Sequence, residues 1–296
     1  MIVEFSVKNF RSIKDLQTIS FVATGLKSSD ENFQIDNDNI CIEDGQNLLK
    51  TIGIYGANGS GKSNIIKALE YFFQAIKNEA SSESNLKALC DPFLFQENSH
   101  LSESYFQIVL VVENKKYRYG FTVKKNPELG NPEKASNEVI SSEWLYGTKE
   151  KKSGEYFIRN AMVITKEKLP NQEKVPPVPY EHSLFLTHAA AFDKDGVCAS
   201  LRKFIIGFTL SNLKDSFDTF RWNSLMLLER ENRKNDLLDL LSSFNLNYED
   251  IIIERDKNQP REQILSQDKI FFLKQFVNQN NERIDIKLNL SLNESA

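Results

Sequence analysis

Cysteine is nearly absent from this chain: only Cys41, Cys90 and Cys198 occur in 296 residues. Their odd number, wide spacing and lack of a CxxC pair exclude a disulfide scaffold and a cysteine zinc site, and point to reduced thiols in a cytoplasm-like compartment. Histidine is as scarce, and His100, His182 and His188 are too scattered to read as a metal site. No stretch approaches the roughly 18 apolar residues of a membrane span. The opening MIVEFSVKNF lacks the charged-then-apolar layout of a signal peptide. The expectation is a cytoplasmic protein with no membrane partner. Neither charge sign is in excess, with 37 basic and 41 acidic side chains and a net charge of −4, so there is no global attraction to nucleic acid or anionic lipid. With 40% apolar and 26% charged residues, and 21 phenylalanines, the composition is that of a chain that buries a core.

Glycine is also short, 12 in 296 residues, where usage near 7% is ordinary. Yet Gly53, Gly56, Gly59 and Gly61 fall within nine residues of one another. Backbone conformations that side chains forbid are concentrated there. The segment Gly56-Ala57-Asn58-Gly59-Ser60-Gly61-Lys62-Ser63 matches GxxxxGK[ST] at every fixed position. A short β-prone run, residues 51–55, precedes it. After it, Ile65, Ile66, Leu69, Phe72, Phe73 and Ile76 recur at helical spacing. Glycines of such a loop let backbone N–H groups turn inward around phosphates at the positive end of the following helix. Lys62 would place an ammonium on the β- and γ-phosphates of a nucleoside triphosphate, and Ser63 a hydroxyl on Mg²⁺.

Hydrolysis by such loops normally needs an apolar strand ending in an acid. Two segments offer one: residues 108–112 before Glu113, and 251–253 before Glu254. Glu113-Asn114-Lys115-Lys116, however, reads as the turn of a hairpin whose second strand carries Tyr117, Tyr119, Phe121 and Val123 in alternation. Glu254 reads as a plain strand end. The catalytic carboxylate is therefore unassigned.

The residues then resemble a family. The runs Phe5-Ser-Val-Lys-Asn-Phe-Arg-Ser-Ile13, Ile19-Ser-Phe-Val-Ala23 and Tyr55 to Asn64 are similar to the start of bacterial and archaeal AAA-type ATPases of the ABC class, relatives of RecF, SMC and OLD-type ATPases. Weaker echoes at residues 91–95, 117–120, 142–146, 183–186 and 248–253 extend the resemblance along the chain. It implies an α/β P-loop NTPase head of ABC type: a mixed sheet around the Walker A helix, an antiparallel β subdomain, then a mainly helical region. It also implies ATP and Mg²⁺ as cofactors, bound by residues Gly56 to Asn64, with Asn9, Arg11 and Ser12 approaching the nucleotide. A Q-loop glutamine is implied too, but neither Gln96 nor Gln107 stands in a context that assigns it. The implied partners are a second head in an ATP-sandwiched homodimer, a nuclease or toxin effector, and DNA, in DNA transactions or anti-phage defence. The end at Leu292-Asn-Glu-Ser-Ala296 resembles the start of the family's Glu-Ser-x-Gly-Thr signature, which would put Walker B further on. Two alternatives stay open: a nucleotide-binding module that does not hydrolyse, and a self-sufficient P-loop NTPase or kinase using Glu113.

The expected organisation is an ATP-binding lobe over residues 1–168, a Pro-rich linker over 169–180 and, over 181–296, a helical region with the start of a second lobe. Residues 2–7 read as an edge strand leading into 17–23. Runs at 105–112, 117–123, 139–146 and 156–164 read as antiparallel strands, 183–192, 197–207, 218–231 and 234–244 as helices, and 284–290 as a late strand.

Overall fold

The computed structural model describes residues 1–25, 38–78, 83–126, 138–149, 152–166, 168–208, 228, 233–254, 269–277 and 282–289. The chain divides into two compact units, Met1–Thr209 and Leu210–Ala296. The result is a mixed α/β chain with a large antiparallel sheet and few helices.

In the first unit, β1 (Ile2–Lys8), β2 (Gln17–Ser20), β5 (Ser104–Val112), β6 (Lys115–Lys125), β7 (Glu138–Lys149), β8 (Lys152–Asn160) and β9 (Val163–Thr165) form one sheet in the order β2-β1-β5-β6-β7-β8-β9. Every described ladder in it is antiparallel, so the mixed sheet expected here is not what forms. From β5 onward each strand pairs with the next one in sequence, which produces antiparallel neighbours. β1 is not an edge: it lies between β2 and β5, with Phe5 opposite both Ile19 and Ile108. The expected hairpin at Glu113 is present. Glu113 (φ 51°) and Asn114 (φ 59°) form its two-residue turn with the paired positive φ of type I′. A smaller hairpin, β3 (Ile40–Glu43) and β4 (Gln46–Leu49), turns at Asp44-Gly45 by the same device.

The sheet is covered on one face by α1 (Lys62–Lys77), whose Ala68, Phe72, Ala75 and Ile76 recur on one side and are buried. Phe72 anchors this contact, with its ring 5.7 Å from Phe5, 5.2 Å from Phe121 and 5.9 Å from Tyr119. Phe72→Ala is expected to cost about 4 kcal/mol of unfolding free energy, read by denaturant titration. Two short helices, α2 (Phe185–Phe192) and α3 (Val197–Ile206), close the C-terminal end of α1. Thr187 Oγ1 donates to the Ile76 carbonyl at 3.0 Å, and Arg202 donates to the carbonyls of Ile76 and Lys77, satisfying acceptors that a helix end leaves open.

The Pro-rich segment 169–180 is not a linker. Leu169, Val175 and Val178 are buried in the first unit, and Lys166 Nζ donates to the carbonyls of Gln172 and Val175 across it. The division falls at Thr209 instead. The second unit is not mainly helical among its described residues: α4 (Lys234–Ser243) accompanies a three-stranded antiparallel sheet of β10 (Asp250–Glu254), β11 (Lys269–Val277) and β12 (Arg283–Asn289). Leu237, Leu238 and Leu241 of α4 pack on Ile251 and Phe272 of that sheet, which is why a single amphipathic helix suffices. The helix expected at 218–231 falls outside the described residues except at Leu228, and the final residues 290–296 fall outside them entirely.

Cys90 and Cys198 are buried, and burial pushes both thiols up, Cys90 to about 12. Thiolate is the reactive form. A thiol-reagent titration near pH 8 is therefore expected to find Cys41 alone reactive in the native protein, and all three cysteines after denaturation.

Candidate functional site

The glycine-rich loop is exposed from Gly56 to Ser60 and ends at the first turn of α1. Gly61 caps that helix at φ 92°, and Gly59 sits at φ 80°, a region that L side chains enter at a cost of about 1–2 kcal/mol. The sequence pattern thus has a local cause at two of its glycines. The amide of Ser60 donates to the Ala57 carbonyl at 3.2 Å, tightening the loop, and Asn64 N and Ile65 N donate to Gly61 O to start the helix. Lys62 Nζ folds back across the loop and donates to the carbonyls of Gly56 and Ala57 at 2.6 and 2.7 Å. Its ammonium therefore lies inside the curl of the loop. Ser63 is exposed in the first helical turn, and its hydroxyl has no hydrogen-bond partner among the described residues.

The strand expected before the loop is the main departure. Residues 51–55 join no ladder, Ile54 is 38% exposed and Tyr55 93% exposed. Among the described residues, the amides of Ile52 to Gly56 donate to no other element.

The turn after β1 meets the loop through one of its three candidates. Ser12 Oγ accepts from Asn64 Nδ2 at 2.7 Å and lies 3.1 Å from where a Cβ on Gly61 would stand. Asn9 does not take part. Its buried side chain donates to the carbonyls of Ser99 and Ser102 and accepts from Phe93 N, holding the 93–103 loop against the end of β1. Arg11, expected at the nucleotide, is engaged elsewhere: its Nε donates to Asp91 Oδ2 at 3.0 Å, and its guanidinium lies over the rings of Phe10 and Tyr71. Asp91 stands 80 positions away in sequence, so local spacing could not announce this pairing.

Within the first unit, Glu113 does not reach the loop by the structure's own connections. Val112 lies eight residues, about 26 Å, along β5 from Ser104. Ser104 Oγ donates to Asn9 O at the loop end of the sheet, so Glu113 is at the far end. Glu254 closes β10 in the second unit, where Lys287 Nζ donates to its carboxylate at 2.8 Å. Of the glutamines, Gln107 accepts from Trp144 Nε1 at 3.2 Å on the sheet, and Gln96 is exposed in the 93–103 loop. Among the described residues, no group of three or more His, Cys, Asp or Glu is placed to hold a metal. Mg²⁺ carried by a nucleotide needs little protein, since it keeps several waters and takes most of its other ligands from phosphate. The free Ser63 hydroxyl fits that role.

Sequence reading missed the most constrained polar cluster of the unit. Glu143 and Arg159 are fully buried and paired at 3.4 Å. Glu143 accepts from Tyr119 Oη at 2.9 Å and from Phe185 N and Leu186 N at 2.7 and 2.9 Å, capping α2, while Arg159 donates to the carbonyls of Ala161, Glu181 and Ser183. The available signal was parity: Glu143 shares the inward face of β7 with Leu145, and Arg159 that of β8 with Phe157. This cluster is internal framework, with every polar arm turned into the protein.

Compared with known proteins, residues 52–160 match the family model described as "AAA domain, putative AbiEii toxin, Type IV TA system". The match covers just over a third of the chain, from the segment before the glycine loop to the end of β8. It supports a nucleotide-binding, ATPase-like protein of the P-loop AAA type, and the α/β architecture is consistent with such a domain. No curated protein matches the chain. No helix among the described residues is long and apolar enough to cross a membrane.

Proposed function

We propose that this chain is the ATP-binding part of an ABC-class P-loop ATPase. In this reading residues Gly56 to Asn64 cradle the triphosphate, and Ser12 steadies the loop through Asn64. The observation that carries the reading is the loop itself: Gly59 and Gly61 in left-handed conformations, with the Lys62 ammonium already inside the curl. When ATP enters, Lys62 exchanges two neutral carbonyl acceptors for charged phosphate oxygens, a stronger hydrogen bond. Ser63 holds the Mg²⁺ that travels with the nucleotide, which neutralises charge on the β- and γ-phosphates. Arg11 acts from Asp91 and Tyr71, fixing the turn that presents Ser12, rather than as a phosphate ligand.

On this reading two chains sandwich ATP head to head, and hydrolysis releases the pair and alters a bound effector. The family model's toxin–antitoxin description favours a partner of that system and an anti-phage role; a nuclease effector or a DNA-related role belongs to the same proposal without that support. A second reading, nucleotide binding without turnover, is favoured by a specific observation: Glu113, the candidate carboxylate in the same unit, stands at the far end of the sheet from the loop. Calorimetric titration with Mg-nucleotides tests the site. ATP and ADP are expected to bind and AMP not, because the loop grips the β-phosphate. Equal affinity for AMP and ATP would overturn the assignment. Phosphate release by the same sample separates the two readings.

A further inference from the structure

The sheet face opposite α1 carries a feature that the nucleotide loop does not use. Cross-strand register places Lys8, Tyr105, Thr122 and Ser142 in one row on this face, and Ser6, Gln107, Gly120 and Trp144 in the next. Glu4, Val109, Arg118 and Tyr146 make a third. One end of the face is covered: Leu48 of the β3–β4 hairpin packs on Val3, Val109 and Val111, and Lys116 Nζ donates to Gln46. The other end has no covering element among the described residues.

At that open end lies an aromatic platform. Tyr105 and Trp144 stack with centroids 5.4 Å apart and planes 27° from parallel, although β6 runs between their strands. Gly120 makes this possible. A Cβ there would stand 2.5 Å from the Trp144 ring, so the indole lies flat across the glycine backbone. Both rings are half-buried, as is Tyr146 on the same face. Around them stand the exposed cations Lys8, Arg118 and Lys124, with the carboxylates of Glu4, in the row of Arg118, and of Glu155, opposite Tyr146 in the β7–β8 register, further along the same face. Lys8, Tyr105, Thr122 and Lys124 also form the sheet wall of a groove of about 850 Å³, whose other wall is the turn at Lys14-Asp15 and the 93–103 loop. The groove's carboxylates, Asp15, Glu97 and Glu103, and its third lysine, Lys14, belong to that turn and loop, while Lys8 and Lys124 stand with Tyr105 on the strands.

We propose that this open face binds single-stranded nucleic acid. Bases stack on the Tyr105–Trp144 platform, and the backbone phosphates follow Lys8, Lys124 and Arg118. Half-buried rings flanked by exposed cations suit unpaired bases, since every base offers a π-face and a duplex hides it. The face is otherwise polar, with Ser6, Gln107, Thr122 and Ser142, so it lacks the apolar core of a protein interface. β1 links this face to the glycine loop: Lys8 lies on the platform, and four residues later Ser12 touches Asn64.

The test is fluorescence anisotropy of labelled oligothymidylate and oligouridylate of about 15 nucleotides, with the full chain and with a duplex of equal length as comparison. Single strands are expected to bind more tightly than duplex. Tyr105→Ala and Trp144→Ala are each expected to weaken binding by roughly 5- to 150-fold, the range for loss of one stacking ring. Lys8→Ala with Lys124→Ala should flatten the salt dependence by about 0.7 of a log unit per lysine. Circular dichroism of each variant reports folding, and the exposed lysine pair remains informative if Trp144→Ala fails to fold. Absence of binding, preference for duplex, or full binding by folded Tyr105→Ala and Trp144→Ala variants would each overturn the proposal. Preference for one of the two oligomers identifies DNA or RNA as the source of the strand.

Discussion

Arg159→Met is expected to lower the unfolding free energy of the first unit by about 3–5 kcal/mol, the cost of leaving one partner of a buried pair without the other. A domain is typically stable by only about 5–15 kcal/mol, so a large part of the margin disappears. The guanidinium satisfies the carbonyls of Ala161, Glu181 and Ser183 as well as the Glu143 carboxylate, and methionine satisfies none of them. Glu143→Gln is expected to cost less than Arg159→Met. It keeps a carbonyl oxygen for one of the α2 amides but turns an NH₂ group toward donors that now lack an acceptor. Denaturant titration followed by far-UV dichroism gives the ordering, and an Arg159→Met protein as stable as the parent would show that the pair is not structural.

The same variant carries a pH signature. Burial pushes the Glu143 carboxyl up, against the opposing pull of Arg159, the two α2 amides and Tyr119. Removing Arg159 takes away the largest of these opposing influences and raises the carboxyl further. A carboxyl whose folded-state value is raised binds a proton more readily when folded, so stability falls as pH rises through the interval between its unfolded and folded values. The penalty of Arg159→Met is therefore expected to be larger at neutral pH and to shrink on acidification toward the ordinary glutamate range. A penalty that grows on acidification would mean that Glu143 is not the group left exposed to the loss.

These two residues also show where sequence reading stops. Glu143 and Arg159 stand in β-prone runs whose type and alternation are local properties, so the strands were legible. Their pairing depends on β7 and β8 lying side by side and on α2 arriving from 42 positions away. The Glu113 turn was legible for the opposite reason, because a hairpin is made by residues adjacent in sequence. Helix α1 and its glycine cap belong to the same class. Ile52 and Ile54 carry the β-prone character of a strand, yet a strand exists only with a neighbour, and none of the described residues supplies one. The Pro-rich run 169–180 misled because proline marks irregular backbone, which is not the same as exposed backbone; Leu169, Val175 and Val178 bury it. At the candidate site the loop was read from its glycines, whereas the choice among Asn9, Arg11 and Ser12 required Asp91, Ser99 and Ser102, all distant in sequence.

The site's own decisive substitution is Lys62→Ala, expected to weaken Mg-ATP binding by about 10- to 100-fold, since each hydrogen bond to a charged group contributes about 1.5–3 kcal/mol. Stability is expected to change by no more than about 0.5 kcal/mol. The carbonyls that Lys62 now occupies, on Gly56 and Ala57, lie in an exposed loop and pass to water, while alanine is the best helix former at the first position of α1. Loss of binding with an unchanged melting transition separates a ligand-binding lysine from one that merely closes the loop. Gly61→Ala makes the complementary test. Its φ of 92° strains any L residue, and the added methyl would meet Ser12 Oγ at 3.1 Å, so the turn that touches Asn64 has to move. Gly59→Ala carries the strain without a contact, because nothing lies within 4 Å of its Cβ position. If Ser12 steadies the loop, Gly61→Ala loses more ATP affinity than Gly59→Ala. Equal losses would mean that the glycines matter through backbone conformation alone and that the turn after β1 is a bystander.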